Sequence, residues 1–161
     1  MKKTLLSIMT VAALACSTVV SAQPVNKDIS VTAEVNGAIT MKKSNGDALN
    51  NISLEYNYTD NNGMYEYAEN VTIASNTGAK VNIKLRSPLV LEGDASGEIK
   101  TFDDVVVRLG RIDLNEAGKT FALDASNEIN GALTIKAKKP AEALSGETYT
   151  GTLQLAIEDE V

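Results

Sequence analysis

Histidine and tryptophan are absent from this 161-residue chain, and cysteine occurs once. Each absence excludes chemistry. Without histidine there is no imidazole general base, no Ser-His-Asp triad and no His-ligated metal. A lone cysteine, Cys16, permits neither an internal disulfide nor a thiolate zinc cluster. Positive charge is also in short supply. Lys and Arg number 15 against 21 Asp and Glu, a net −6, which argues against a broad nucleic-acid-binding surface. No enzyme activity, catalytic residue, cofactor or metal site is expected. A hydrophobic fraction of 43% excludes wholesale disorder, and the length suits one domain with an appendage.

Residues 1–22 read as an export address. Lys2 and Lys3 form a positive start, Leu5 to Ala15 is apolar apart from Ser7 and Thr10, and Val20-Ser21-Ala22 has the small-residue pattern of a cleavage site. The apolar run is too short to span a bilayer comfortably. Cleavage after Ala22 leaves a chain that begins at Gln23 and has lost its cysteine. Leu14-Ala15-Cys16 loosely resembles a lipoprotein processing site, the alternative to signal-peptide cleavage.

Beyond residue 22 the dominant period is two. Ala79, Val81, Ile83 and Leu85 alternate with Lys80, Asn82, Lys84 and Arg86, and the same rhythm runs through 104–109 and 129–137. One apolar and one wet face per segment is the pattern of half-buried strands. Strands are expected near 28–35, 38–42, 52–58, 66–74, 79–86, 104–109, 119–123, 129–137 and 148–158, with single helical turns at most near 112–118 and 140–145. Turn chemistry punctuates them, including Asn45-Gly46, Asn62-Gly63, Gly93-Asp94, Asn130-Gly131 and Ser145-Gly146. Many short strands at this spacing predict an all-β sandwich or barrel.

Both ends carry amphipathic strands. At the N-terminal end Ile29, Val31, Ala33 and Val35 share one face, and Ser30, Thr32 and Glu34 the other. Such a terminal strand either pairs within its own domain or completes another chain's sheet by strand addition. At the C-terminal end Tyr149, Gly151, Leu153, Leu155 and Ile157 share a face. Tyr56, Tyr58, Tyr65 and Tyr67 cluster around one turn. They read as cross-strand aromatic pairs, as a subunit contact, or as a stacking platform for a receptor sugar. Asp103-Asp104 reads as a solvated edge, because adjacent strand residues face opposite ways. Asp60-Asn61-Asn62-Gly63 lacks the full ligand spacing of a calcium loop and reads as a turn.

The strings Lys27-Asp28-Ile29-Ser30-Val31-Thr32-Ala33-Glu34-Val35, Asn45-Gly46-Asp47-Ala48-Leu49 and Tyr149-Thr150-Gly151-Thr152-Leu153-Gln154-Leu155 resemble the major subunits of alpha-clade, colonisation-factor type chaperone–usher fimbriae. That family carries a similar "KxITVTAxV" string at its mature N-terminus and "YxGxVxL" in its last strand. The acidic ending Glu158-Asp159-Glu160-Val161 departs from the family's less charged tails. The resemblance implies an immunoglobulin-like β-sandwich that lacks one strand. It further implies a groove filled first by a periplasmic chaperone and then, at an outer-membrane usher, by the N-terminal strand of the next identical subunit.

On that reading residues 1–22 are a signal peptide, 23–36 a donor-strand extension bearing Ile29, Val31, Ala33 and Val35, and 37–161 the sandwich body. The C-terminal strand, with Tyr149, Gly151, Leu153, Leu155 and Ile157, is the groove and chaperone-binding strand. The chain is expected to be exported to the periplasm and then displayed outside the cell as a homopolymer serving adhesion or biofilm formation. The same implication admits a tip adhesin and a host glycan or protein receptor as further partners. The alternative is a self-contained secreted sandwich that binds a glycan or protein through the Tyr56–Tyr67 hairpin.

Overall fold

The computed structural model describes residues 30–33, 37–59, 62–95 and 98–160. The chain divides into two units, Met1–Glu34 and Val35–Val161. Residues 1–22, with the expected cleavage site, lie outside the described residues, as do Ile29 and Val35.

Alternating β-branched and polar residues build eleven strands among the described residues, and none of these residues is helical. They are β1 (Ile39–Lys43), β2 (Glu55–Tyr56), β3 (Met64–Ser75), β4 (Lys80–Leu85), β5 (Glu92–Ala95), β6 (Glu98–Thr101), β7 (Asp103–Leu109), β8 (Ile112–Asp113), β9 (Lys119–Ala122), β10 (Glu128–Lys138) and β11 (Leu155–Asp159). Every ladder between them is antiparallel.

The first sheet runs β1-β3-β10-β7-β8. Its spine is the β3–β10 ladder, from Glu128 opposite Ala74 to Lys138 opposite Met64. Because β10 takes one edge of β3, β1 and β2 share the other in succession. The second sheet is β11-β4-β9, and β5–β6 form a separate hairpin. Period-two alternation turns Val71, Ile73, Val107, Leu109, Leu133, Ile135 and Ala137 of the first sheet inward. Val81, Ile83, Leu85 and Phe121 of the second meet them in one core. At about 25 cal/mol per Å² of apolar area, this shared layer is the main stabilising contribution to the sandwich.

Several sequence expectations need correction. Asn130-Gly131 is not a turn. It lies within β10, where Asn130 Oδ1 accepts a 2.5 Å hydrogen bond from Thr72 and Leu109 covers Gly131. Gly93-Asp94 is likewise inside β5. No helical turn forms at 112–118 or 140–145. The first holds the two-residue strand β8, and the second is a run of turns. Of the expected strand 28–35, Ser30–Ala33 lie in no strand. The expected 148–158 strand is regular only from Leu155, with a single bridge, Thr150 to Glu92, before it.

Candidate functional site

The C-terminal strand has one edge that no described residue pairs. The carbonyl of Gln154 accepts from the Arg86 N–H at 2.9 Å, and the Glu160 N–H donates to the Lys80 carbonyl at 3.0 Å. Even-numbered residues therefore turn their backbone groups toward β4. Successive residues in a strand alternate, so Leu155 and Ile157 turn theirs the other way. Thr150 keeps the same parity further up, exchanging two 2.8 Å bonds with Glu92. The odd-numbered residues 151 and 153 then continue the open edge.

The first sheet has a matching edge. Ser44 N–H donates to the Asn70 carbonyl at 2.8 Å and Asn76 N–H to the Ala38 carbonyl at 3.2 Å, so the even residues of β1 face β3. Ile39 and Met41 turn their backbone groups outward. After β1 the chain leaves this edge and runs through residues 48–54 before rejoining it as β2. Leu49, Ile52 and Leu54 on that excursion pack against the core.

Between the two edges lies a groove. One hollow of about 540 Å³ is lined by Met41, Leu49, Ile52, Leu91, Leu153 and Leu155, among others. A second of about 670 Å³ adds Tyr65, Phe102, Lys139, Leu144 and Tyr149. Ile52, Leu54, Leu91 and Gly151 line both, so the two are continuous. Gly151 is required here: a Cβ at that position would stand 2.1 Å from the Val90 carbonyl oxygen.

Beyond the groove the end of the C-terminal strand is clasped to the segment that follows β3. The Asp159 carboxylate accepts hydrogen bonds from Ser75 Oγ and Thr77 Oγ1, each at 2.5 Å. The two hydroxyls hold its pKa below the ordinary carboxyl value, against an opposing effect of burial. A Cβ on Gly78 would come within 2.8 Å of the same carboxylate. At the other end Tyr149 donates its hydroxyl to Glu147 at 2.8 Å. Desolvation first, and then the Glu147 carboxylate, push the Tyr149 phenol up to about 12. Glu147 is lowered chiefly by the Leu144 N–H, then by Tyr149.

The tyrosines form an edge-to-face chain across this second end. Ring centroids are 5.0 Å apart for Tyr56–Tyr58, 5.5 Å for Tyr56–Tyr65, 5.4 Å for Tyr65–Phe102 and 5.0 Å for Phe102–Tyr149. Tyr58 is 86% exposed, while Tyr67 sits against the core with its hydroxyl buried and unpartnered. The structure thus brings Tyr149, Gly151, Leu153 and Leu155 into the groove with Tyr65, while Ile157 packs against the core beyond it and Tyr67 lies apart. Val31 and Ala33 are exposed. Sequence reasoning missed Leu49 and the Asp159 clasp, and it read 52–58 as a strand where only Glu55–Tyr56 is one, Ile52 and Leu54 lying in irregular chain.

Residues 25–158 match the CS1 type fimbrial major subunits. The chain belongs to this family. Its fold is also similar to a solved structure of the CooA pilin subunit from enterotoxigenic Escherichia coli. That likeness has a TM-score of 0.59 and 22% identity, and covers 74% of this chain and 85% of that one. No curated protein sequence matches the chain. The chain is therefore a pilin subunit with an all-β sandwich, and the groove is a feature of a fimbrial building block.

Proposed function

We propose that this pilin polymerises by donor-strand exchange, residues 29–35 of one subunit filling the groove of the next. The observation that carries the reading is the open edge of the C-terminal strand beside an apolar groove, in a chain whose own 29–35 segment has one apolar face. Completing the sheet pairs exposed backbone groups and buries Ile29, Val31, Ala33 and Val35 together. Donor and groove are different surfaces, so the contact is heterologous and propagates as a fibre instead of closing.

Before assembly, a periplasmic chaperone strand covers the same groove, gripping the edge from Tyr149 to Ile157, and an outer-membrane usher exchanges it for the donor. Residues 1–22 direct export, residues 23–36 are the extension and residues 37–161 the body. The product is a surface fimbrium that serves adhesion or biofilm formation, with no catalytic role. A tip adhesin and a host receptor belong to the same picture. The exposed Tyr58 ring favours the Tyr56–Tyr67 region as the receptor or subunit contact.

The test is thermal unfolding of a body lacking residues 23–36, with and without a peptide covering residues 26–36. A large peptide-dependent rise in Tm is expected, because a ligand that binds only the folded state stabilises it. A body that is already stable and indifferent to the peptide overturns the reading.

A further inference from the structure

A fimbrium under tension pulls on each body at two places. One is Gly37 and Ala38, where the N-terminal extension joins the sandwich. The other is the C-terminal strand, where the neighbouring copy is held. We infer that the turn 75–78 and Asp159 form a tension clasp that passes such a pull directly from one place to the other. This role rests on the donor-strand reading above and adds to it a route for mechanical load.

The two places belong to different sheets. Ala38 leads into β1 of the first sheet, and β11 is part of the second. A pull on both therefore works across the apolar layer between the sheets. Burial is non-directional, so that layer supplies no bond aligned against the pull. The chain itself crosses from the first sheet to the second in the turn 75–78, between the end of β3 and the start of β4.

Both places are bonded to this turn. On the extension side, Asn76 Oδ1 accepts from the Ala38 N–H at 2.6 Å, and the Asn76 N–H donates to the Ala38 carbonyl at 3.2 Å. On the groove side, Ser75 Oγ and Thr77 Oγ1 donate at 2.5 Å to separate oxygens of the Asp159 carboxylate. Hydrogen bonds to an ionised acceptor are roughly twice as strong as neutral ones. Ser75 is braced in turn. It is 4% exposed, its Oγ accepts from the N–H groups of Thr77 and Gly78 at 3.2 and 3.3 Å, and its own N–H donates to the Asn127 carbonyl at 3.1 Å. Gly78 permits the approach, since a Cβ there would stand 2.8 Å from Asp159 Oδ1. Gly37 lies against the same clasp: its Cβ would touch Thr77 Oγ1 at 3.4 Å and Asp159 Oδ2 at 3.7 Å.

The route is short: C-terminal strand, Asp159, turn, Ala38. Each step is a covalent bond or a directional hydrogen bond, and none crosses the apolar layer. At rest these bonds contribute modestly beside the shared core. Under a pull, survival is governed by the rate of unfolding, and the bonds in the path set that rate.

Force on intact fimbriae tests this. Single fimbriae of the full chain, assembled with chaperone and usher, are held at constant force and their lifetimes recorded. Asp159→Ala is compared with Ile135→Val and Leu133→Ala, two changes at fully buried core positions that bracket its loss of stability in urea. Asp159→Ala should shorten the lifetime under force roughly tenfold, and neither core variant by more than about threefold. A lifetime for Asp159→Ala no shorter than that interpolated between the core variants at equal urea midpoint overturns the clasp. If Asp159→Ala yields no fimbriae, Thr77→Val removes one hydroxyl and keeps the shape; it is judged by the same comparison, with a loss of roughly threefold expected. Asn76→Ala cuts the path on its other side. Its combination with the groove-side variant should live at least about half as long as the shorter-lived single, because one cut already diverts the load. Losses that multiply in the double variant reveal two separate supports and overturn the shared path. Fimbriae that form from a chain lacking residues 23–36 would instead defeat the donor reading itself.

Discussion

If the donor fills the groove by burying its odd face, truncating that face must weaken binding in proportion to the apolar groups removed. Val31 is 87% exposed in the isolated chain, so its side chain has most of its surface still to bury. Val31→Ala deletes two carbon groups, at about 0.8 kcal/mol each, or about 1.6 kcal/mol and roughly 15-fold in Kd. Ile29→Ala deletes three, about 2.4 kcal/mol and roughly 60-fold. The outer-face changes Ser30→Ala and Thr32→Ala should stay within about 0.5 kcal/mol, roughly twofold. The assay is calorimetric titration of peptides covering residues 26–36 into a body lacking residues 23–36. The predicted profile alternates: loss, no loss, loss. A flat profile, or equal losses at Thr32 and Val31, would refute the argument, because backbone pairing alone does not distinguish odd from even positions.

Other consequences are simpler to read. Gly151→Val brings a Cβ to 2.1 Å from the Val90 carbonyl oxygen; the C-terminal strand must move away, and a lowered urea midpoint corresponding to about 1–3 kcal/mol is expected. Ile73→Ala, at a fully buried position of the shared core, should cost about 2–5 kcal/mol in the same measurement. Asp159 has its folded pKa below the ordinary 3.8, so its contribution is present above that pH and lost as pH falls through the folded value. Acid unfolding of the Asp159→Asn variant should accordingly show a shallower decline below pH 3.8 than the unsubstituted chain. Tyr58→Ala should leave Tm nearly unchanged, since the ring is exposed at the end of the aromatic chain, and any loss of cell attachment in that variant would then report on contact with a receptor.

Much of the sandwich was legible because its strands obey one rule. In β4, Val81, Ile83 and Leu85 are buried and Lys80, Asn82 and Lys84 are not, so period two fixes both element and face. Where the rule fails, the physical reason is local. The β5–β6 hairpin carries Glu92, Gly93, Glu98 and Lys100 with Ile99 72% exposed, so its one large apolar residue among those described faces solvent and leaves no alternating signal. The groove wall at 48–54 is irregular chain: Ile52, Leu54 and Tyr56 keep the two-residue spacing that predicts a strand over 52–58, yet only Glu55–Tyr56 pairs, and Leu49 stands outside that period. Asn130-Gly131 misled because turn residues also occur inside strands where a neighbour's side chain, here that of Leu109, fills the space above the glycine. The candidate site shows a deeper limit. Residues 29–35 and 153–157 have the same alternation, and alternation reports a strand's faces but not its neighbours. What separates the two is an edge property: backbone direction at Gln154 and Glu160 leaves the odd positions of the C-terminal strand unpaired among the described residues. On the proposed donor-strand reading, the open edge and the 29–35 segment answer each other, a relation that no periodicity within either strand records.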